Sequence, residues 1–402
     1  MKKALIVLLL LMMVTGTFAG CKSTSTDPDT TTGKFHIGIV TNTVTQAEDA
    51  YRGGEALADE YGKAADGGII QAITIPDNFQ AEQETTISSI VGLADDPLMK
   101  AIIICDAVPG TAEAFKQVRA KRSDILLFAG KPMEDPNVIA PVCDVAANYD
   151  QLTNAYINVW AAKQMGAKSL VFISFPRHMS LELISRAWAI TQAAGKDLGI
   201  ATYYESASDP LSDVGVPGAQ QYILEHVPAW VQKYGTDTAF YTTNLALQEP
   251  LLKQIMKYGG MSVGILSPTL GYPGAFGIDL SAEKGNWPAI LKKVEETVVA
   301  QGGSGRFNAW AFSMDYVTVA GLGEYAKRCI EGTAKVGNQD DMLAAFGKYS
   351  PGAAWNCSAY RDVGTGNEVA NYFQLYQDTY VFGKGFMGAT KEKMPEKYLT
   401  VK

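Results

Sequence analysis

The chain has 402 residues, of which 47% are hydrophobic, and its formal net charge is −8 from 34 basic and 42 acidic side chains. This acidic balance argues against nucleic-acid binding, because the phosphate backbone requires a basic face. The apolar content supports full-sized cores, and the chain is longer than the roughly 250 to 300 residues at which a single core stops growing. We therefore expect two domains.

The N-terminus has the pattern of an export signal. A basic pair is followed by an apolar run over residues 4–14, which is too short to span a bilayer, and then by Phe-Ala-Gly-Cys at residues 18–21. This segment resembles the lipobox of bacterial lipoproteins, although Phe18 stands where leucine is usual, and an ordinary secretory signal is the alternative. The resemblance implies that residues 1–20 are a signal peptide and that a lipid on Cys21 anchors the exported protein to the cell membrane.

The next part of the chain alternates short apolar runs with helical patterns. Residues 22–34 are polar and predict a flexible tether. Beyond them, short apolar runs bounded by polar turns suit parallel strands that are buried on both faces. The strands predicted in this first half cover residues 35–40, 69–75, 101–105, 125–129 and 138–142.

A second series of the same kind begins with a predicted long helix over residues 147–165. The breaker-rich segment 268–274 predicts a hinge crossing, followed by a short strand at 276–279. The other strands predicted in this half cover residues 169–174, 201–204, 238–242 and 263–266. The resulting division is an N-terminal α/β lobe over 35–146, a C-terminal α/β lobe over 147–275, and a hinge crossing with a C-terminal extension that packs on the lobes over 276–402.

An exported chain with two successive parallel α/β lobes is similar to the type I periplasmic-binding proteins, and also to an uncharacterised family of bacterial lipoproteins with that fold. The resemblance covers roughly residues 35–300. It implies an α/β fold of two doubly wound lobes with parallel sheets joined by a hinge, plus the C-terminal extension. It also implies that a small polar ligand, sugar-like or nucleoside-like, binds between the lobes and is delivered to the permease of an ABC importer.

Such a layout places ligand-binding groups in the loops after the carboxyl ends of the strands. Asp106 and Asp144 each follow a cysteine at a predicted strand end, so we expect them to flank one cleft and to accept hydrogen bonds from ligand hydroxyls. For each Asp or Asn, helix capping or turn formation is the alternative. The first-lobe candidates are Asn42, Thr43, Asp77, Asn78, Phe79, Asp106, Lys131 and Asp144.

In the second lobe, the segment Phe-Pro-Arg-His at residues 175–178 combines an aromatic face, a cation and a titratable ring after a predicted strand. The alternative is a solvated surface loop. Aromatic walls are expected from Phe79, Phe175 and Tyr272, because a flat apolar face can cover a ligand ring. The second-lobe candidates are Phe175, Arg177, His178, Asn244, Tyr272 and Asp279.

Five cysteines and three histidines limit the chemistry. Cys329 and Cys357 are the most plausible disulfide pair, with two buried thiols as the alternative. No metal-binding spacing of histidine or cysteine occurs, so neither a metal nor another cofactor is expected. The glycine spacing at residues 383–388 matches a dinucleotide motif only by letter, because no β-α-β unit surrounds it.

The sequence therefore predicts a solute-binding lipoprotein and not an enzyme. Arg177 keeps amino acids or organic acids open as ligands. A sensory receptor that docks on a chemoreceptor or kinase is the first alternative, and an exported α/β enzyme is the second. A transcriptional regulator is excluded at this stage, because nothing ahead of the first lobe could form a helix-turn-helix.

Overall fold

A computed structural model describes residues 35–362 and 364–401. The predicted signal peptide, the lipidation of Cys21 and the tether over residues 22–34 lie outside the described residues. Among the helices that are described, none is both long and apolar enough to cross a membrane.

Fourteen strands are described, and they form three sheets. The strands are β1 (His36–Thr41), β2 (Ile70–Thr74), β3 (Met99–Cys105), β4 (Leu126–Gly130), β5 (Val145–Tyr149), β6 (Ser169–Ser174), β7 (Ala201–Ser206), β8 (Thr238–Thr242), β9 (Met261–Ser262), β10 (Asn308–Trp310), β11 (Trp355–Arg361), β12 (Glu368–Gln377), β13 (Thr379–Val381) and β14 (Gly385–Phe386).

The helices connect and cover these sheets. They are α1 (Val44–Tyr61), α2 (Gln83–Gly92), α3 (Thr111–Lys121), α4 (Pro136–Ile139), α5 (Gln151–Gln164), α6 (Pro176–Met179), α7 (Glu182–Leu198), α8 (Gly215–Tyr234), α9 (Gln248–Tyr258), α10 (Tyr272–Phe276), α11 (Trp287–Ala300), α12 (Met314–Ile330) and α13 (Gln339–Tyr349).

The first lobe is built on a seven-stranded sheet with the order β11-β12-β5-β4-β3-β1-β2. All neighbours in it are parallel except β11 and β12, which are antiparallel. The run Ile102–Ile104 in β3 is fully buried, because helices cover both faces of the sheet and a separate hydrophobic core packs against each face. Continuous apolar strands of this kind are what a doubly covered parallel sheet requires.

The second lobe is built on a smaller parallel sheet with the order β7-β6-β8-β9. A short antiparallel sheet, β10-β13-β14, belongs to the same lobe. The two lobes with parallel sheets confirm the fold class that the sequence predicts.

Three crossings join the lobes, and hydrogen bonds tie them together. The chain crosses from β5 to α5 at Asp150, from β10 to α12 at residues 311–313, and from β12 to β13 at Asp378. The Asp150 amide donates to the Leu375 carbonyl at 2.7 Å. The Gln377 side chain accepts from the amide of residue 312 at 3.0 Å and donates to its carbonyl at 3.2 Å. The hinge therefore consists of three chain segments that are linked to one another by hydrogen bonds.

The segment 268–274, which the sequence predicts to be a hinge crossing, instead stays inside the second lobe. It leads into α10, where Tyr272 is fully buried and donates a hydrogen bond to the Asn308 carbonyl at 2.7 Å. Its proline and glycine residues lie in the turn ahead of α10 and at the start of that helix, and they do not move the chain to the other lobe. Residues 276–279, predicted as a strand, form the end of α10 and a loop.

The C-terminal part of the chain contributes to both lobes. The strands β11 and β12 extend the seven-stranded sheet of the first lobe. Beyond β13, residues 382–401 run over the second lobe, where Arg186 donates to the Leu399 carbonyl at 2.9 Å and the Tyr398 hydroxyl donates to Asp197 at 2.5 Å.

The proposed disulfide is not formed in the structure. Cys329 and Cys357 are free, partly buried thiols, and Cys105 and Cys143 are free and buried. Burial raises the pKa of Cys329 to about 11 and that of Cys357 to about 12. Cys329 and Cys357 therefore follow the alternative prediction, in which both are unpaired thiols that pack as small side chains.

Close packing of α1 against α12 depends on Gly53. A methyl group on this residue would lie 2.7 Å from the Tyr316 carbonyl oxygen and 2.9 Å from Val319 Cβ. We expect Gly53→Ala to lower the free energy of unfolding by about 1–2 kcal/mol, because overpacking outweighs the gain in helix propensity. The matched control is Gly347→Ala in α13, where no atom lies near the added methyl and stability should rise slightly. Equal effects of the two substitutions in urea denaturation would contradict this account.

Candidate functional site

The carboxyl ends of the strands in the two large sheets face each other in the region between the lobes, termed the cleft. Asp49 of α1 accepts a hydrogen bond from the Thr269 hydroxyl of the second lobe at 2.7 Å. Tyr149, which ends β5, faces Tyr241 near the end of β8. Since β6, β8 and β9 are parallel, the loop after β6 emerges on the same edge. This is the place at which open α/β sheets bind ligands.

Lys131 is the centre of a charged cluster on the first-lobe edge. Its ammonium lies 2.7 Å from Asp106 and also contacts Asp315, in the first turn of α12. Burial by itself lowers the pKa of Lys131, but the two carboxylates more than offset it, so the pKa lies above its ordinary value. Strand register explains the pairing, because Cys105 is level with Gly130 and the next residues of β3 and β4 are therefore neighbours.

The backbone at Lys131 adopts a left-handed conformation, with φ of 47°. Residues other than glycine rarely adopt this backbone conformation, and holding such a residue there costs of the order of 1 kcal/mol. The preceding residue, Gly130, has no side chain, and a Cβ there would lie 2.8 Å from Thr318 of α12. The backbone therefore turns sharply where it packs against α12. This turn directs the Lys131 ammonium toward Asp315.

Two further carboxylates in this cluster hold their protons more tightly than usual. Burial raises the pKa of Asp315 to about 6, with Asp106 and Asp49 adding to the effect and Lys131 opposing it. Burial also raises the pKa of Asp49. In the described part of the chain, the partners of Asp49 are hydroxyl groups and not cations: Thr269, Ser267 at 3.4 Å, and Ser313.

Asn42 adds an unpaired acceptor beside these charges. It follows β1, is 5% exposed, and its Oδ1 atom has no hydrogen-bond partner within the described residues. Val40 pairs in register with Ile104, so Asn42 stands level with Asp106 at the end of the neighbouring strand. A buried polar atom without a partner costs about 1–3 kcal/mol, which makes it a candidate for ligand contact.

On the second-lobe edge, Arg177 and His178 are fixed on the buried ring of Phe175. The guanidinium carbon lies 5.2 Å from the ring centre and the imidazole ring centre 4.1 Å from it. Arg177 donates two hydrogen bonds to Asp209, at 2.7 and 2.9 Å. The Nδ1 atom of His178 lies 3.1 Å from the Thr243 hydroxyl. Burial and the Arg177 charge lower the pKa of His178, so its ring is neutral at pH 7.

Five further candidates lie on the cleft-facing edges of the sheets, and four of them are occupied with local contacts. The Thr43 hydroxyl donates to Asp77, and Asn244 accepts from the Ala246 amide at 2.9 Å and so caps a turn. Asn78 is exposed on the loop after β2, and half-buried Phe79 packs on the first-lobe core.

Three candidates lie away from the cleft. Asp144 is at the amino end of β5, where it accepts from Arg119 at 2.8 Å and from the Leu127 amide at 2.7 Å. Tyr272 belongs to the core of the second lobe. Asp279 is exposed and caps a turn by accepting from the Ser281 amide at 2.9 Å. Phe175 is at the cleft edge, but its ring is fully buried and supports its neighbours instead of forming a wall.

The sequence analysis did not single out Asp49, Asp315, Ser267 or Asp209. Asp315 follows a serine at a helix start, a pattern that also describes an ordinary cap, and Asp49 lies within a helical pattern. Neither position follows a strand. Only the packing of α1 and α12 on the sheet brings their carboxylates to the cleft.

Other parts of the surface offer less chemistry. An open groove of about 850 Å³ lies beside α1 and β2, away from the cleft, with Tyr51, Glu55 and Lys63 among its lining residues. Across residues 35–362 and 364–401, no group of three or more histidine, cysteine, aspartate or glutamate side chains is placed to hold a metal ion.

Known proteins share both the sequence pattern and the fold. A family model described as "Protein of unknown function (DUF3798)" matches residues 35–308, and a separate family model matches residues 319–401. An uncharacterised protein of Treponema pallidum (strain Nichols) is 37% identical over 216 residues, covering 54% of this chain and 99% of that protein. A second one is 39% identical over 178 residues, covering 44% of this chain and 80% of its own length.

Two solved structures show the fold. One, described as a "putative transcriptional regulator" from Clostridium difficile 630, has a TM-score of 0.75 at 20% identity and covers 87% of this chain and 99% of its own. The other, a sugar ABC transporter protein from Actinomyces odontolyticus ATCC 17982, has a TM-score of 0.51 at 12% identity, covering 77% and 86%. At these identities the likeness concerns the fold alone, and it confirms the two-lobed α/β architecture. By the match of its sequence over residues 35–308, the chain belongs to the DUF3798 family.

Proposed function

We propose that this protein is an exported, lipid-anchored solute-binding protein. It captures a small polar ligand between its lobes and delivers it to the permease of an ABC importer, without making or breaking bonds in the ligand. The lipid on Cys21 and the tether keep it beside the permease, since a diacyl anchor holds a protein stably on a membrane.

One observation carries the proposal. Two parallel sheets present their carboxyl ends to a shared cleft, and charged or unpaired polar side chains converge there from both lobes. Three hydrogen-bonded crossings connect the lobes and provide a hinge about which the cleft opens and closes. Polar groups that are costly to bury are retained where a ligand uses them.

The test is binding of a chemical panel to the purified full chain by calorimetry and thermal shift. The panel contains sugars, nucleosides, amino acids and organic acids. We expect one class to bind saturably at one site per chain. Because the ligand binds the folded state, it should add about 2.7 kcal/mol of stability at 100 times its Kd, and so raise the Tm.

Arg177→Gln should weaken that binding about tenfold or more, since it removes hydrogen-bond donors from the cleft edge and leaves Asp209 without its partner. The matched control is Arg361→Gln. Arg177 and Arg361 have the same side-chain exposure, 44%, and each is paired with a carboxylate at 2.7 Å, but Arg361 lies on β11. Catalytic turnover of a ligand, or no saturable binding by any class, would refute the proposal.

A further inference from the structure

We infer that the cleft takes a ligand carrying a primary ammonium group, which Asp106 and Asn42 bind beside the Lys131 cluster. The inference rests on the proposed function, because it assumes that the cleft binds a small molecule. It goes further by naming the charge and the donor groups of that molecule.

The first step is the charge balance of the cluster. Asp106 and Asp315 contact a single cation, Lys131, and Asp49 lies near Asp315, so the ionised cluster holds an excess of negative charge. Within the described residues, no other lysine or arginine forms an ion pair with these three carboxylates. A cationic ligand compensates this excess, whereas a neutral sugar leaves it in place.

The second step is the unpaired amide of Asn42, which is independent of the acidic groups. Asn42 and Asp106 are each the first residue after their strand, β1 and β3 respectively. Val40 and Ile104 are in register and pack in one core. Asn42 and Asp106 therefore follow neighbouring strands at the same level, at the carboxyl edge of the sheet.

The third step is the kind of hydrogen bond that the position offers. Within the described residues the Oδ1 atom of Asn42 is an acceptor without a donor, and the Asp106 side chain, which contacts Lys131, has further acceptor capacity. An ammonium group brings three donors and no acceptor, so it can satisfy both the Asn42 oxygen and the remaining acceptor capacity of Asp106. Charge and hydrogen-bond polarity thus point to the same ligand group.

The test uses pairs of small molecules that differ in the ammonium group. Putrescine is compared with 1,4-butanediol, and glucosamine with glucose, by calorimetry on the full chain at neutral pH. We expect the amine of at least one pair to bind ten times more tightly than its alcohol partner, or better. Glucose or butanediol binding as tightly as its amine partner overturns the inference and leaves the proposed function in place. If no amine, sugar, nucleoside or acid binds at all, the inference and the proposed function fail together.

Variants locate the site. Asp106→Asn should weaken binding of the tighter amine about 30-fold, whereas Asp279→Asn, which removes an exposed carboxylate outside the cleft, should not change it. Asn42→Leu should also weaken amine binding at least tenfold, yet raise the Tm of the ligand-free chain, because an unpaired buried amide is replaced by an apolar group of similar size. A lower Tm with unchanged amine affinity would show that Asn42 supports the fold alone, and would overturn the inference.

Discussion

Replacing Lys131 with methionine should lower the free energy of unfolding by about 3–5 kcal/mol at pH 7, the cost of leaving buried carboxylates without their cation. Asp106, 8% exposed, and Asp315 both lose their ion-pair partner. Methionine has nearly the same side-chain volume as lysine. The loss of stability is therefore caused by the missing charge and not by altered packing. Urea denaturation at neutral pH measures it.

The control for this prediction is Lys168→Met. The Lys168 ammonium lies 2.7 Å from Asp237, as close as Lys131 lies to Asp106, but the side chain is 82% exposed. Water solvates both groups of this pair, so its loss should leave stability nearly unchanged. The loss caused by Lys131→Met should also shrink in mild acid, where Asp315 takes up a proton. If the two lysine variants lose the same stability, the cluster does not behave as a buried one.

Most strands of the fold could be predicted from sequence, because a parallel sheet covered on both faces needs short, continuous apolar runs. The runs at residues 101–105 and 169–174 are of this kind, and β3 and β6 form there. The run at 138–142 is an exception. Asp135 and Pro136 start a helix at that point, and the strand that pairs with β4 begins only at Val145.

That misplaced strand also explains the incorrect position of one site residue. With a strand ending at residue 142, Asp144 would follow it and face the cleft. With the strand beginning at Val145, Asp144 lies at the opposite edge of the sheet. An error of a few residues in a strand boundary thus moves a side chain across the whole thickness of the lobe.

Two of the four residues of the charged cluster could be predicted from a local rule, and the other two could not. Asp106 and Lys131 come directly after strands, so sequence places them at the carboxyl edge. Asp49 and Asp315 reach the cluster from helices, Asp315 at a distance of 184 residues from Lys131 along the chain. No short pattern encodes a contact that depends on how α1 and α12 pack on the sheet. The hinge was also misplaced, because breaker residues mark turns but do not reveal which lobe the chain enters next.

As the pH falls from about 7 to about 4.5, Asp315 should contribute increasing stability to the protein, and Asp315→Asn should remove that contribution. The folded-state pKa of Asp315 is raised to about 6, above the ordinary value of 3.8, so the folded chain binds this proton more tightly than the unfolded chain. A raised carboxyl pKa adds stability as the pH falls through 6 toward 4, and that contribution is absent above 6. A shift of this size corresponds in full to about 3 kcal/mol, of which about 2 kcal/mol develops between pH 7 and pH 4.5. Asp49 acts in the same direction.

Urea denaturation across this pH range, compared between the natural chain and Asp315→Asn, isolates the effect of one carboxyl group. The control is Asp124→Asn, because Arg122 and Lys100 hold the pKa of Asp124 below its ordinary value. Its contribution changes only below about pH 4, so this variant should keep the slope of the natural chain between about pH 4.5 and 7. If Asp315→Asn also keeps that slope, Asp315 is ionised throughout the range. Asp315 would then remain negatively charged at every pH at which amine binding to the cleft is measured.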